Sequence, residues 1–214
     1  MQRNTVEPSY VPTAEELARI ARKNARATQE MQTILQDAAP FGFIGKTLSI
    51  GTWLEPNDWE HRNYCGPAAT QVALDARLPA AQVPDIETIA QEENLDPNSG
   101  VWLTDVKNVL NTRLSTNWYV VDSVGSQQVL ASRLMYDINN DYAIVTGCNT
   151  GNMPGWSVTA NHIVAMYGYS IPGNGTAYYV ETAGSVAGYT GSYRQSASIP
   201  TMYTYVSGNP WHIW

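Results

Sequence analysis

The residues of this chain best suited to chemistry are a cysteine and a histidine that lie almost a hundred positions apart. Cys65 stands in Asn63-Tyr64-Cys65-Gly66-Pro67-Ala68-Ala69. It comes directly before apolar residues at Ala69, Val72, Ala73 and Ala76, the i, i+3, i+4, i+7 spacing of a helix with one buried face. Pro67 suits the first turn of such a helix, where a missing N–H leaves no bond unmade. Cys65 is therefore expected at a helix mouth, where unpaired N–H groups and the helix dipole favour negative charge. That position predicts a thiol pKa lowered from about 8.5 towards neutrality.

A cysteine nucleophile needs a base within reach, and histidine is matched to that work. The chain has three histidines, His61, His162 and His212. His162 opens the apolar run Asn161–Tyr169, which reads as a central strand, and it is the expected base. His61 reads as a loop residue at the cleft and His212 as part of a frayed C-terminus. The next strand returns through Tyr178-Tyr179-Val180-Glu181-Thr182, so Glu181 or Thr182 would face the imidazole across an antiparallel ladder and fix its tautomer. Glu181 is the stronger acceptor. The other cysteine, Cys148, allows a disulfide, but the expectation is a buried thiol at a strand end.

These residues must be positioned by helices first and mostly antiparallel strands later, an α+β order. Residues 13–37 read as a helix opened by a Thr13/Glu16 capping box, with a partial apolar stripe through Leu17, Ile20, Asn24, Met31, Ile34 and Leu35. Pro40 and Gly42 end it. The body is expected to begin near Lys46 with a short strand and a Trp-rich loop, Trp53 to Trp59. Helices follow from Cys65 to about Leu78, near Asp85–Glu93 and at Val101–Leu114. Next come a strand at Trp118–Ser123, a helix at Gln127–Ile138, and strands at Tyr142–Cys148, Asn161–Tyr169 and Ala177–Thr182. Asn174-Gly175 is a hairpin signal between the last two. Two units are expected: residues 1–45 as a helical arm, either a propeptide remnant or a helix docked on the body, and residues 46–214 as the catalytic domain.

Asn-Tyr-Cys-Gly-Pro-Ala-Ala before a helix, with Asn-His-Ile-Val-Ala-Met-Tyr-Gly-Tyr later, resembles the bacterial bacteriocin-processing (double-glycine) peptidase-like family among the papain-like cysteine peptidases. The resemblance covers roughly residues 46–185. It implies a papain-like fold, a helical half carrying Cys65 as nucleophile and an antiparallel sheet carrying His162 as base. The family's third residue, usually Asp, matches Glu181 here. The Gln that the family commonly places about six residues before the cysteine, a donor to the oxyanion, is Trp59 in this chain. The Trp59 indole, the Asn57 amide or the Asn63 amide would have to replace it beside the Cys65 N–H. Trp53, Tyr64 and Trp156 are candidates for contact with an extended peptide. The exposed-looking loop Gly151–Trp156 lies beside the histidine strand.

The expected function is thus a cysteine peptidase or amidase that cleaves a peptide bond through an acyl-thioester on Cys65. The alternatives are a cell-wall peptide amidase using the same Cys-His-Glu site and a non-catalytic papain-fold peptide-binding module. Composition narrows the partners. The 214 residues carry a net charge of −7. Residues 1–44 hold five basic and five acidic side chains, so the surplus of acid lies in the remainder. An acidic body without a basic patch argues against nucleic acid or an anionic membrane. No apolar run approaches the ~20 residues of a membrane span. Two cysteines and three scattered histidines match no zinc pattern, and no phosphate-binding Gly loop is present. No cofactor or metal is expected, and the partner is a peptide or protein substrate met by a monomer. Met1-Gln2-Arg3-Asn4 does not read as a signal peptide. Scarce Lys with abundant Tyr, Trp, Asn, Thr and Ser nevertheless resembles an exported protein, so a secreted or cell-surface location is expected.

Overall fold

A computed structural model describes residues 3–38, 44–171 and 175–214. Helix α1 (Ala14–Ala38) and strand β1 (Ile44–Thr47) come first, followed by α2 (Cys65–Asp75), α3 (Ile86–Glu92) and α4 (Leu103–Arg113). Then follow β2 (Val121–Ser123), α5 (Gln127–Asn139), β3 (Ile144–Asn149), β4 (Asn161–Ile171) and β5 (Thr176–Val180). The chain closes with β6 (Arg194–Ser198), α6 (Ile199–Ser207) and β7 (Trp211–Ile213). The strands form one antiparallel sheet, in the order β2-β7-β3-β4-β5-β6, with β1 paired on the second half of β4. The class is α+β, as expected. The stop signals Pro40 and Gly42, and Asn174 of the hairpin turn, lie outside the described residues.

Strand β4 is the spine of the sheet. Its first half pairs with β3, Asn149 opposite Asn161 and Cys148 opposite His162, and its second half exchanges that partner for β1. Nine consecutive residues, His162 to Ser170, are buried, which agrees with the apolar character of both its faces. Helix α2 packs on this strand. Residues Cys65 to Leu74 of α2 are all buried, so the helix is enclosed on every side and not amphipathic as its stripe predicts. Gly66 lets the other side of the helix lie close to the end of α3 and the segment before α4. A Cβ on Gly66 would sit 2.3 Å from Val101 Cγ2 and 3.2 Å from Glu93 Oε2.

The capping box forms: the Thr13 N–H donates to Glu16 Oε2 at 3.0 Å and the Glu16 N–H to Thr13 Oγ1 at 3.2 Å. The buried face of α1 differs from the expected stripe. Ile20, Lys23, Ala27 and Met31 face inward at three- and four-residue spacing, while Leu17 and Leu35 are exposed. The contacts of α1 are chiefly with α5, and a buried charge cluster holds the two together. Lys23 Nζ lies 3.1 Å from Asp137 Oδ1 and donates to Trp118 O at 3.2 Å. It also stands over the Trp118 and Trp214 rings at 4.4 and 4.5 Å. Burial pulls Lys23 down to about 8 and pushes Asp137 up to about 6.

The last three elements were not anticipated from sequence, because short Ser- and Tyr-rich segments carry no clear period. They correct the expectation for His212. It lies in the middle of β7, between β2 and β3, with no exposure. Trp214 and Val120 exchange backbone hydrogen bonds at 2.8 and 3.1 Å. Burial, and then Arg133, hold His212 well below the usual histidine value, so it is a neutral core residue.

Two stability predictions follow from these buried charges. Lys23→Ala strands Asp137 without its partner and should cost about 3–5 kcal/mol in chemical denaturation, whereas replacing both by Met and Leu should recover most of the loss. An equal deficit in the single and double variants would discount the pair. Glu93, fully buried and bonded by the Thr70 hydroxyl, is pushed up to about 8 by burial. Between the ordinary glutamate pKa of ~4.5 and about 8, the folded chain keeps a proton that the unfolded chain releases. The Glu93 contribution to stability is therefore lost as pH rises through that window. Melting temperatures at pH 5 and pH 8 should fall more steeply in the native chain than in Glu93→Gln; parallel slopes would refute the assignment.

Candidate active site

The N-terminus of α2 points its first residue, Cys65, at the start of β4. Tyr64 precedes it as the N-cap without a side-chain cap, so the first N–H groups of the helix face the cleft instead of a capping oxygen. The Cys65 thiol and the His162 imidazole are hydrogen-bonded to each other. The other side of the ring, Nε2, lies 2.6 Å from Glu181 Oε1. Nδ1 is then the nitrogen that serves Cys65. Cys65 is 2% exposed, His162 4% and Glu181 1%, so this chain of three groups is almost dry.

Glu181 lies one residue beyond the end of β5, and its own N–H is tied to Tyr193 O at 2.8 Å. Its carboxylate has three donors: His162 Nε2, the Ala183 N–H at 3.2 Å on the same oxygen, and the Trp156 indole at 3.0 Å on the other. The Trp156 ring stands edge-on to His162 with centroids 4.7 Å apart. It thereby screens the His162–Glu181 bond from water. Thr182, the second candidate partner for the imidazole, is turned away and donates to Glu55.

Burial and pairing set the proton affinities. Burial disfavours a charged His162, yet the Glu181 carboxylate and Cys65 outweigh it and hold the imidazole well above its usual value. Burial also dominates at Cys65 and pushes its thiol up, with His162 pulling the other way. The expectation that the helix mouth alone would depress the Cys65 pKa is thereby corrected. At 2% exposure, desolvation of a thiolate outweighs the dipole. The proton between Sγ and Nδ1 belongs to the pair and not to either group. Cys148 does not join this pair. It is a free, fully buried thiol, pushed up to about 12 by burial, and its Sγ lies 3.6 Å from the His162 carbonyl.

The cleft in front of Cys65 and His162 is walled by Trp59, Asn63, Trp156 and Val158, with Arg62 and Val186 at its rim. Trp53 and Tyr64, expected as substrate contacts, are not part of that wall. Trp53 Nε1 donates to Asp75 at 2.9 Å, and the Tyr64 hydroxyl donates to Glu87 at 3.2 Å. His61 is tied on both sides, 2.6 Å from Asp58 and 2.8 Å from Glu87. Among the three proposed oxyanion donors, the Asn63 amide donates to Pro97 O at 2.7 Å. The Asn57 amide is occupied by Ser185 and the Val186 N–H. Trp59 is 68% exposed, with the Arg62 guanidinium 4.1 Å above its ring.

Sequence reasoning missed two residues at this site. Asn4 enters the cleft wall from the N-terminal segment, held by the Val101 N–H at 3.2 Å and by Asn209 Nδ2 at 2.6 Å on its carbonyl. Glu55 lies near the start of α2, 5% exposed, and exchanges bonds with Thr182. Neither carries a local signal, because only the folded chain brings residues 4 and 55 to position 65.

Comparison with protein families matches residues 52–206 to the Peptidase_C39 like family. No curated protein matches the chain. Among solved structures, a chain titled "Recombinant stem bromelain precursor" is similar at 10% identity with a TM-score of 0.49. That likeness covers 77% of this chain and 66% of the other, a little under two thirds of its length. Because the family match spans most of the chain, the protein belongs to the Peptidase_C39 like family, a family of cysteine peptidases.

Proposed function

We propose that the protein hydrolyses a peptide bond through an acyl-thioester on Cys65, with His162 as general base and then general acid and Glu181 as the group that orients the imidazole. The observation that carries this reading is the buried imidazole bridging Cys65 and Glu181 at the mouth of α2, in a cleft with aromatic walls. Sγ attacks the carbonyl carbon while its proton passes to Nδ1. The carbonyl oxygen takes up the charge and is met by the Cys65 N–H, which has no carbonyl to bond within the helix. As the tetrahedral intermediate collapses, the C–N bond breaks and Nδ1 returns the proton to the leaving amine. Water then enters, His162 takes its proton, and the thioester is cleaved to free acid and thiol.

The geometry of Glu181 supports its orienting role. With Nε2 held, Nδ1 can only face Cys65, so the ring neither flips nor drifts. The carboxylate also compensates the imidazolium that forms at a depth where an isolated cation would be costly. A cell-wall peptide is a second substrate class for the same site, and release of fragments from peptidoglycan against release from casein separates the two.

Cys65→Ala should abolish turnover of a peptide substrate while leaving the melting temperature of the fold in place, and His162→Gln should abolish it while the far-UV circular dichroism of the fold is kept. Retained hydrolysis in either variant would sink the reading. In Glu181→Gln the imidazole loses its carboxylate, so the NMR titration midpoint of His162 should drop below that of the native chain. Turnover should fall about 100- to 10,000-fold with it. An unmoved midpoint would mean that the two groups are not coupled.

A further inference from the structure

Glu55 is a carboxyl group in an unusual place. Its backbone N–H donates to Thr182 O at 3.0 Å, and the Thr182 hydroxyl donates to Glu55 Oε1 at 3.2 Å. This double clasp fixes the loop before α2 to the segment that follows Glu181. The other side of the carboxyl approaches the N–H of Tyr64, the residue directly before Cys65. Glu55 therefore sits between the start of the catalytic helix and the end of the strand that delivers Glu181, next to the acylating sulfur. No Lys or Arg pairs with it among the described residues. The charged and titratable groups that face it are His162, Glu181 and Cys65.

An acyl-transfer site needs two donors where the oxyanion forms, and the Cys65 N–H is one. The amides of Asn57 and Asn63 are bonded elsewhere, and Trp59, although in the cleft wall, is 68% exposed, so water competes for its indole N–H. We propose that Glu55, as a neutral carboxylic acid, is the second donor, its hydroxyl hydrogen-bonding the oxyanion of the tetrahedral intermediate on Cys65. The acid keeps its proton throughout: it lends a hydrogen bond and returns unchanged. Burial, which outweighs His162, pushes Glu55 up to about 8, with Glu181 adding to the rise. The acid form is then the one present at neutral pH. A carboxylate in this position would repel the oxyanion instead of binding it. The Thr182 hydroxyl and the Tyr64 N–H both donate to the carboxyl and favour its charged form, but burial outweighs them.

This inference rests on the reading of Cys65 as an acylating nucleophile, and two probes separate the two ideas. Iodoacetamide alkylates the sulfur by displacement at carbon, with no oxyanion. p-Nitrophenyl acetate acylates it through a tetrahedral oxyanion and releases p-nitrophenolate, a leaving group that needs no proton from His162. In the native full-length chain, the p-nitrophenolate burst should be fast at pH 7 and slow as pH rises through about 8. Ionisation of Cys65 changes reactivity in the opposite sense and does not account for that loss. Glu55→Gln carries an amide donor of the same shape. It should keep the burst within about tenfold at pH 7 and remove the alkaline loss. Glu55→Ala should lower the burst about 100- to 1,000-fold while alkylation of Cys65 stays within a few-fold. The inference is overturned by a Glu55→Gln burst that is as slow as that of Glu55→Ala. It is equally overturned by an alkaline loss that persists in Glu55→Gln, or by burst and alkylation falling together in both variants. Absence of both burst and selective alkylation in the native chain would overturn the proposed function, and this inference with it.

Discussion

An imidazole that is 4% exposed can carry or share a proton only while a carboxylate stays within hydrogen-bonding distance. In this molecule that carboxylate is Glu181, 2.6 Å from His162 Nε2. Losing the contact would leave an uncompensated charge or an idle ring, and the rest of the fold can be read as keeping it in place. Strand β4 supplies the histidine near its start. Strand β5 runs back beside it and releases Glu181 one residue past its last ladder bond. Trp156 and the Ala183 N–H complete the carboxylate shell.

The sulfur reaches this pair from a different direction. Helix α2 has to approach the sheet closely enough for its first residue to touch the first turn of β4. Gly66 lies against Val101 and Glu93, where a Cβ would not fit, and Ala68, Ala69 and Ala73 are buried, so α2 is covered on every side. The consequence is electrostatic. A thiol at an exposed helix mouth would be acidified, whereas this one is desolvated and depends on His162 for its ionisation. Thiol and imidazole thus behave as one titrating unit.

The same tight packing buries other acids, Glu55, Glu93 and Asp137, each pushed above the ordinary carboxylate range. Asp137 is answered by Lys23 and forms the anchor of α1. Glu93 is answered by the hydroxyl of Thr70, within the first turns of α2. Acidity in this chain is thus distributed between a solvated surface, an interior Asp137 paired with Lys23, and interior Glu55 and Glu93 that hold their protons at neutral pH, so net charge alone misstates the electrostatics around the site.

The sequence by itself determined the α+β order, the helix behind Cys65, the strand opened by His162 and the acidic residue that returns towards it. Those features rest on short-range rules: apolar spacing, capping boxes and the alternation of a ladder. What it did not reveal were matters of depth and distance. The stripe of α1 could not show that Lys23 turns inward while Leu17 and Leu35 turn out. The C-terminal segment, with no period of its own, gave no sign that β7 would enter the sheet between β2 and β3 and bury His212. Trp53 and Tyr64 were legible as aromatics but not as residues bonded away from the cleft to Asp75 and Glu87. Asn4 and Glu55 were invisible, because their neighbours lie far along the chain. A pattern in sequence records which groups are adjacent on one element. Solvation, and with it the charge a group can bear, is set by what other elements place on top of it, and only the tertiary structure decides that.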